Sequence, residues 1–332
     1  MTQLISLVHA AIVFGTVILF GAAGEILTEK SGNLNLGVPG IMYLGGIGGL
    51  ISAYFYEAGM KANGLTPNPT VGLLLSFVVA FAAAALGGLI FSFLTITLRT
   101  NQNVTGLTLT IFGGGVANFF GGSLNTLSGG VGQVSVAATS SAYRASIPFL
   151  STQLGVVSKI FFQYGFMVYL AIIIAIVLNS FLNRTRTGLN LRAVGENPAT
   201  ADADGISVTR NKYLATCIGA GISGMGGLYY VMDYIKGTWA NDGTIAGLGW
   251  LAVALVIFAI WRPVRGIWSA YLFGLFFWMY FYIPNLTRSS QELFKMVPYL
   301  VTLAVLIFVS LRNKRENQPP ESLGLAYFRE ER

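Results

Sequence analysis

The sequence predicts an all-α polytopic membrane protein, and both its composition and its hydropathy pattern support this class. Hydrophobic residues make up 54% of the 332 positions and charged residues only 10%, whereas a typical globular domain carries roughly 25% charged residues. Glycine occurs 41 times, and membrane-spanning helices contain more glycine than soluble ones. These features exclude a soluble cytosolic enzyme, a disordered regulator and a nucleic-acid-binding domain.

Apolar stretches that can cross a bilayer recur along the chain. A spanning helix needs ~20 mostly apolar residues to cross ~30 Å of hydrocarbon. On this criterion we expect about nine transmembrane helices, within a range of about 8–10. The predicted spans lie near residues 4–23, 38–56, 70–98, 105–121, 155–183, 212–232, 247–261, 267–283 and 296–311. The fourth and seventh are short, so we expect some spans to be broken or re-entrant.

The basic residues indicate an orientation in the membrane. With the loop 184–211 and the tail 312–332 in the cytoplasm, nine alternating spans place most of the 20 Lys and Arg residues on the cytoplasmic side. This distribution satisfies the positive-inside rule and places the N-terminus outside. The sequence pI of about 9.5 is therefore a signal of topology and not of a nucleic acid partner. The predicted domains are a transmembrane domain at 1–311 and a solvated cytoplasmic tail at 312–332.

Several chemistries lack the residues that they need. Charged residues fall in loops or at span ends, which argues against ion-coupled carriers because these bind the coupling ion near the bilayer midplane. A single cysteine, Cys217, and a single histidine, His9, exclude haem, cluster and two-imidazole metal sites. No lysine follows a glycine, so the chain has no Walker A motif for ATP. A transport function would therefore need a partner ATPase that contacts a cytoplasmic loop.

The largest cytoplasmic loop, 184–211, contains a short helix signal. Asn197 is an N-cap residue followed by Pro198 at the first helical position. Gly205 provides a left-handed stop. The spacing predicts a helix over 198–204. Such a helix is either a docking element for another protein or an ordinary solvated connection, and the local sequence leaves both interpretations open.

Three segments resemble one family of transport proteins. Residues 192–206 (RAVGENPATADADGI) resemble the cytoplasmic coupling loop of ABC-importer permeases in the branched-chain amino acid/ribose permease superfamily. Residues 24–42 (GEILTEKSGNLNLGVPGIM) and 247–263 (GLGWLAVALVIFAIWRP) resemble the nucleoside branch, whose receptors are lipoproteins of the basic membrane protein type. Where this branch usually has a glutamate, the chain has Pro39. The resemblance implies a type II-like ABC importer permease in the bacterial cytoplasmic membrane.

The resemblance also implies a function and partners. We expect a non-catalytic permease subunit of an ATP-driven importer, for nucleosides or alternatively for ribose, other sugars or branched-chain amino acids. An ion-coupled secondary transporter and a non-transporting scaffold are the remaining alternatives. The implied partners are a cytoplasmic ATPase that binds the ATP, a second and longer permease, and an extracytoplasmic lipoprotein receptor. No cofactor or metal is expected in this chain. The residues expected to couple to the ATPase are Gly195, Glu196, Asn197, Pro198, Ala201 and Gly205.

Neutral polar residues near the predicted spans are candidates for the translocation path. Amides and hydroxyls suit an uncharged polar solute such as a nucleoside, and the candidates are Asn33, Asn35, Gln102, Asn103, Thr108 and Asn118. Asn33 and Asn35 could equally satisfy the backbone of a broken helix. The glycines at 113–115 predict a thin or interrupted helix beside a cavity. The spacing of Gly45 and Gly49 predicts close helix packing.

Overall fold

The computed structural model describes residues 2–127, 134–145, 162–240, 242–283, 287–312 and 318–329. These residues are largely helical, and we number the helices α1 to α13 in chain order. Their bounds are Thr2–Glu29, Val38–Ala62, Pro69–Ser92, Gln102–Leu127, Ala137–Tyr143, Phe166–Arg184, Arg186–Glu196, Pro198–Ala203, Val208–Tyr229, Thr244–Phe258, Pro263–Met279, Arg288–Lys295 and Val297–Arg312. Helices α3 and α9 each continue into a π-helical turn, Phe93–Thr97 and Tyr230–Tyr234.

The described helices confirm an all-α polytopic membrane protein. Six of them, α1, α2, α3, α4, α6 and α9 with the π turns, are long and apolar enough to cross a membrane, and α10 is a shorter apolar helix. Each of the nine predicted spans overlaps one helix longer than ten residues. The start of the fifth predicted span, 155–161, lies outside the described residues.

Helix α9 lies at the centre of the bundle, against α1, α2 and α3. Glycines allow these contacts. A Cβ added at Gly45 of α2 would lie 2.3 Å from the Gly224 carbonyl oxygen of α9, and one added at Gly24 of α1 would lie 2.1 Å from the Gly219 oxygen. The predicted packing role of Gly45 and Gly49 is confirmed, because a Cβ at Gly49 would also meet Leu228 at 2.3 Å. Small residues let membrane helices approach closely where only dispersion and hydrogen bonds hold them together.

Of the two alternatives predicted at 113–115, a thin helix and an interrupted one, the interruption is wrong. Helix α4 runs without a break from Gln102 to Leu127. Gly113 packs against α2, since a Cβ there would lie 2.3 Å from the Gly40 carbonyl oxygen. A Cβ at Gly115 would meet nothing within 4 Å. Gly113 therefore allows α2 to approach one side of a regular helix closely, and Gly115 leaves the opposite side thin.

The tail is solvated only in part over residues 318–329: most of its side chains are exposed, but some of them pack on the bundle. Pro320 and Ser322 are buried. The Ser322 amide donates to the Gly195 carbonyl at 3.0 Å, and the Gly324 amide donates to the Gly32 carbonyl at 3.2 Å. The tail thus crosses the loop between α1 and α2 and the end of α7. The loop 184–211 likewise contains a helix, α7, in addition to the predicted one.

The segments expected in the cytoplasm meet at one end of the bundle. The tail contacts both the α1–α2 loop and the α7–α8 segment, and Arg99 between α3 and α4 stacks its guanidinium 4.6 Å from the ring centre of Phe328. Charged residues in the described spans lie in the end turns, as expected. Some of them are buried, however, among them Glu25 and Glu29 in the last turns of α1.

Candidate coupling site and translocation face

Helix α8 has the caps that its sequence predicts. The Asn197 side-chain oxygen accepts from the Thr200 amide at 3.0 Å, and Pro198 occupies the first turn. The helix ends where Gly205 adopts a φ of +80° and the Ile206 amide donates to the Ala201 carbonyl at 2.9 Å. A left-handed glycine at this position is the usual way to end a helix. The predicted helix over 198–204 is therefore confirmed as Pro198–Ala203.

The residues expected to couple to the ATPase divide into an inner and an outer group. Ala201 is 2% exposed and packs with Val194 and Val208. Gly195 is buried, and a Cβ there would lie 2.3 Å from the Lys30 carbonyl oxygen. Both residues therefore fix α8 to the bundle and have no surface to offer a partner. The outer group is exposed or half-buried and consists of Glu196, Asn197, Pro198 and Gly205.

The tail binds this segment through side chains that the sequence analysis missed. The Ser322 hydroxyl donates to the Gly195 carbonyl at 2.6 Å. The Tyr327 hydroxyl donates to Asp202 at 2.9 Å, and the Arg329 guanidinium lies 3.1 Å from the same carboxylate oxygen. Tyr327 also packs beside the buried cluster around Ala201. The available signal was the aromatic pair at 327–328 in an otherwise polar tail.

Charges surround this end of the bundle. Burial lowers the pKa of the Lys30 ammonium from its ordinary value, whereas the nearby Glu196 carboxylate acts in the opposite direction. A cavity of about 560 Å³ lies beside it, with Lys30, Arg192 and Arg262 in its wall. The Arg192 guanidinium donates to Asn183 at 3.2 Å. The wall of this cavity is therefore basic, while α8 carries Asp202 and is followed by Asp204.

The α1–α2 loop holds Asn33 and Asn35 in the interior. Asn33 is 0% exposed and donates to the Thr216 hydroxyl at 3.0 Å. The Asn35 amide donates to Glu25 at 3.0 Å, while its side chain accepts from the Gly37 amide at 2.9 Å. Non-helical backbone within a membrane protein needs such internal partners. The contacts of Asn35 match the structural alternative, and Asn33 also borders a cavity described below.

Helix α4 separates the other path candidates onto two faces. Gln102 is buried, accepting from the Leu34 amide at 2.7 Å and donating to the Leu325 carbonyl at 3.4 Å. Asn103, Thr108 and Asn118 are exposed. Thr108 and Asn118 belong to a continuous stripe, called the outer face of α4, at helical spacing. The outer face of α4 comprises Val104, Thr108, Ile111, Gly115, Asn118 and Gly122.

No cluster of metal-ligating side chains occurs within the described part of the chain. The geometry instead combines a bundle of helices that are long and apolar enough to span a membrane with the capped helix α8 at one end. With the outer face of α4, which mixes apolar residues with Thr108, Asn118 and two glycines, these features define an integral membrane protein.

Comparison with known proteins gives the family. A model described as branched-chain amino acid transport system / permease component matches residues 7–306, and the chain belongs to this family of ABC transporter permeases. A putative glucose ABC transporter permease protein, TsgC13 of Haloferax volcanii, is 32% identical over 98% of each chain. The nucleoside ABC transporter permease protein NupC of Lactococcus lactis is 31% identical over 89% of each chain. The guanosine ABC transporter permease protein NupQ of Bacillus subtilis is 29% identical over 92% of each chain. No solved structure matched.

Membership confirms several expectations. The chain is a multi-pass protein of the cytoplasmic membrane and a permease, and permease subunits are not themselves enzymes. The family implies an ATPase and a substrate-binding partner. The expected resemblance to nucleoside permeases is borne out by two relatives. Another relative is named for glucose, so the names of the relatives do not agree on one substrate.

Proposed function

We propose that this chain is the permease subunit of an ATP-driven nucleoside importer, that it forms half of the translocation path, and that α8 couples it to the ATPase. The observation that carries the coupling is the seating of α8. Ala201 packs the inner side of α8 against the bundle, and Gly195 at the end of α7 is buried beside it. The exposed residues on the outer side are Asn197, Thr200 and Ala203. An element held rigidly on one side and exposed on the other can transmit a push from a partner to α1 and α9.

A substitution on the outer side of α8 tests the coupling. Ala203→Trp adds bulk where the side chain is exposed, and Ala62→Trp is the matched control at the opposite end of α2. In the reconstituted transporter, Ala203→Trp should lose bound ATPase and transport while its Tm stays at the wild-type value. Equal transport by the two variants would refute docking at α8.

The outer face of α4 supports the proposal that this chain forms half of the translocation path. The exposed Asn118 amide on a spanning helix is poorly suited to lipid, because a polar group in hydrocarbon lacks partners. The Thr108 hydroxyl, in contrast, already donates to the Val104 carbonyl at 2.8 Å within α4. The same groups suit a neutral solute with hydroxyls, and they suit a second permease packed closely on the glycines. We therefore propose that Thr108 and Asn118 face the path or the second, longer permease.

Nucleosides are the first candidate substrates because two of the relatives described above are named for nucleosides or guanosine. Glucose is the second candidate, supported by the relative from Haloferax. The two classes share hydroxyls, and the nucleoside adds a flat base. Uptake of labelled guanosine by cells that express the whole transporter, with unlabelled uridine or glucose as competitor, separates them. Uptake of labelled glucose by the same cells, without uptake of labelled guanosine, would refute the nucleoside proposal.

A further inference from the structure

A second polar cavity, of about 250 Å³, lies at the cytoplasmic end, and we call it the tail cavity. Its walls come from the end of α3, the start of α4, the start of α9, the α8 segment and the tail. The charged and amide side chains in its wall are Asn33, Arg99, Gln102, Asp202, Lys212 and Arg329. The cavity is smaller than the roughly 300–1,000 Å³ of pockets for drug-sized ligands, so it suits one small polar group.

Lys212 is the unusual residue of the tail cavity. It is 3% exposed, and it has no hydrogen bond or ion pair to any described residue. The Asp202 carboxylate in the same wall is already bound by Tyr327 and Arg329. The Lys212 side chain is almost wholly buried, so its ammonium is poorly hydrated and costs free energy without a counter-ion. A partner of opposite charge in the tail cavity would offset this cost.

Other groups of the tail cavity point to the same kind of partner. Arg99 and Arg329 add positive charge, so cations outnumber the single carboxylate in the described wall. The side-chain NH₂ of Asn33 donates to the Thr216 hydroxyl, and its buried side-chain oxygen has no partner among the described residues. An anion that also carries a hydroxyl could pair with both Lys212 and this oxygen. Lysine binds phosphate as a point charge.

We propose that the tail cavity binds a phosphate group, with Lys212 as its principal cation. The group comes either from a soluble phosphate compound or from the headgroup of an anionic lipid in the cytoplasmic leaflet, where basic pockets between helices recruit such lipids. Leu98, next to Arg99 of the cavity wall, is 54% exposed. Because Tyr327 and Arg329 also line the cavity, a bound phosphate would join the tail to the start of α9.

The test uses the full chain purified in detergent and measures Tm. One arm compares sodium phosphate with sodium chloride at equal ionic strength, and the other compares micelles doped with phosphatidic acid or with phosphatidylcholine. Lys212→Met removes the buried cation, and Arg210→Met is the matched control, an exposed residue on the same helix outside the cavity wall. Lys212→Arg keeps the charge.

We expect phosphate, phosphatidic acid or both to raise Tm in the wild type, in Arg210→Met and in Lys212→Arg, but not in Lys212→Met. Ligands that bind only the folded state raise Tm, and the rise grows with the logarithm of the ligand concentration above Kd. A response to phosphatidic acid alone identifies the lipid source, and a response to both identifies phosphate in general. The absence of any response, or an equal response in Lys212→Met, overturns the proposal.

A further variant excludes a partner within the chain. Glu330 and Glu331 follow the described tail, so a chain that ends at Arg329 lacks both carboxylates. Without phosphate, Lys212→Met should unfold at a higher Tm than the wild type, and the shortened chain should keep its phosphate response. Loss of the response and a lower Tm in the shortened chain would overturn the proposal. None of these readouts depends on transport, so their failure leaves the proposed function untouched.

Discussion

Helices α3 and α4 both turn much of their surface away from the bundle, yet their exposed faces differ in chemistry. The exposed residues of α3 include Leu74, Val78 and Leu86, and the larger side chains on this face are apolar. The outer face of α4 instead interrupts its apolar residues with Thr108, Asn118 and two glycines. A uniformly apolar face suits lipid, whereas a face of small and polar residues suits another protein or a polar solute. Exposure at the edge of the bundle is therefore not enough to show that a helix faces lipid.

The largest expected effect comes from filling the outer face of α4. Gly115→Leu places a side chain where no atom lies within 4 Å, so the isolated chain should keep its Tm. A close contact with a second permease would be blocked, and transport should fall more than tenfold. Ala82→Leu, on the exposed face of α3, is the matched control and should transport normally. Equal transport by the two variants would remove the distinction between the faces.

Replacing Asn118 should have an intermediate effect. Asn118→Leu removes the amide from the outer face of α4, and we expect transport to fall several-fold because the solute or the second permease loses a hydrogen-bond partner. The isolated chain in detergent should be as stable as the wild type or more so, since the exposed amide gains nothing there. Initial uptake rates and Tm together make this test. A lower Tm with unchanged uptake would mean that Asn118 is structural.

The two sides of α4 can be compared with alanine. A Cβ at Gly113 would lie 2.3 Å from the Gly40 carbonyl, so Gly113→Ala should destabilise the chain by about 1–3 kcal/mol through overpacking. Gly115→Ala meets open space and should raise stability slightly, because alanine forms helix better than glycine by about 1 kcal/mol. Denaturation in detergent measures both. Equal destabilisation of the two variants would contradict the assignment of inner and outer sides.

Gln102, where α4 begins, can be compared with Thr97, where the π-helical turn after α3 ends, and the smallest effect is expected at Thr97. Gln102→Ala leaves the Leu34 amide without its acceptor, and a buried donor left unpaired costs about 1–3 kcal/mol. Thr97→Val breaks the exposed hydrogen bond to the Tyr213 hydroxyl, and should cost no more than about 1 kcal/mol. Chemical denaturation ranks the two variants. A larger cost for Thr97→Val would mean that α4 is not anchored through Gln102.

Local signals in the sequence predicted much of this architecture. Long apolar stretches predicted the helices, and the Asn197–Pro198 pair with Gly205 predicted α8 because caps act within one turn. The tail was missed because its contacts, such as Ser322 to Gly195, join residues more than a hundred positions apart. For a related reason, the sequence did not separate a thin helix from an interrupted one at 113–115. Whether a glycine breaks a helix or packs against a neighbour depends on the facing element, and here that element is α2.

Cross-linking from α4 tests the central claim most directly. In a chain with Cys217 replaced by alanine, Ile111→Cys places a thiol at the centre of the outer face of α4, and Leu86→Cys places one on the exposed face of α3; the native side chains are 77% and 59% exposed. Both chains are co-expressed with the second permease in membranes and labelled with a maleimide–benzophenone. The maleimide alkylates the introduced thiol, and the benzophenone inserts into a nearby C–H bond on irradiation. We predict a cross-link to the second permease from Ile111→Cys and none from Leu86→Cys. A cross-link from Leu86→Cys alone, or from neither position in an active transporter, would contradict the account.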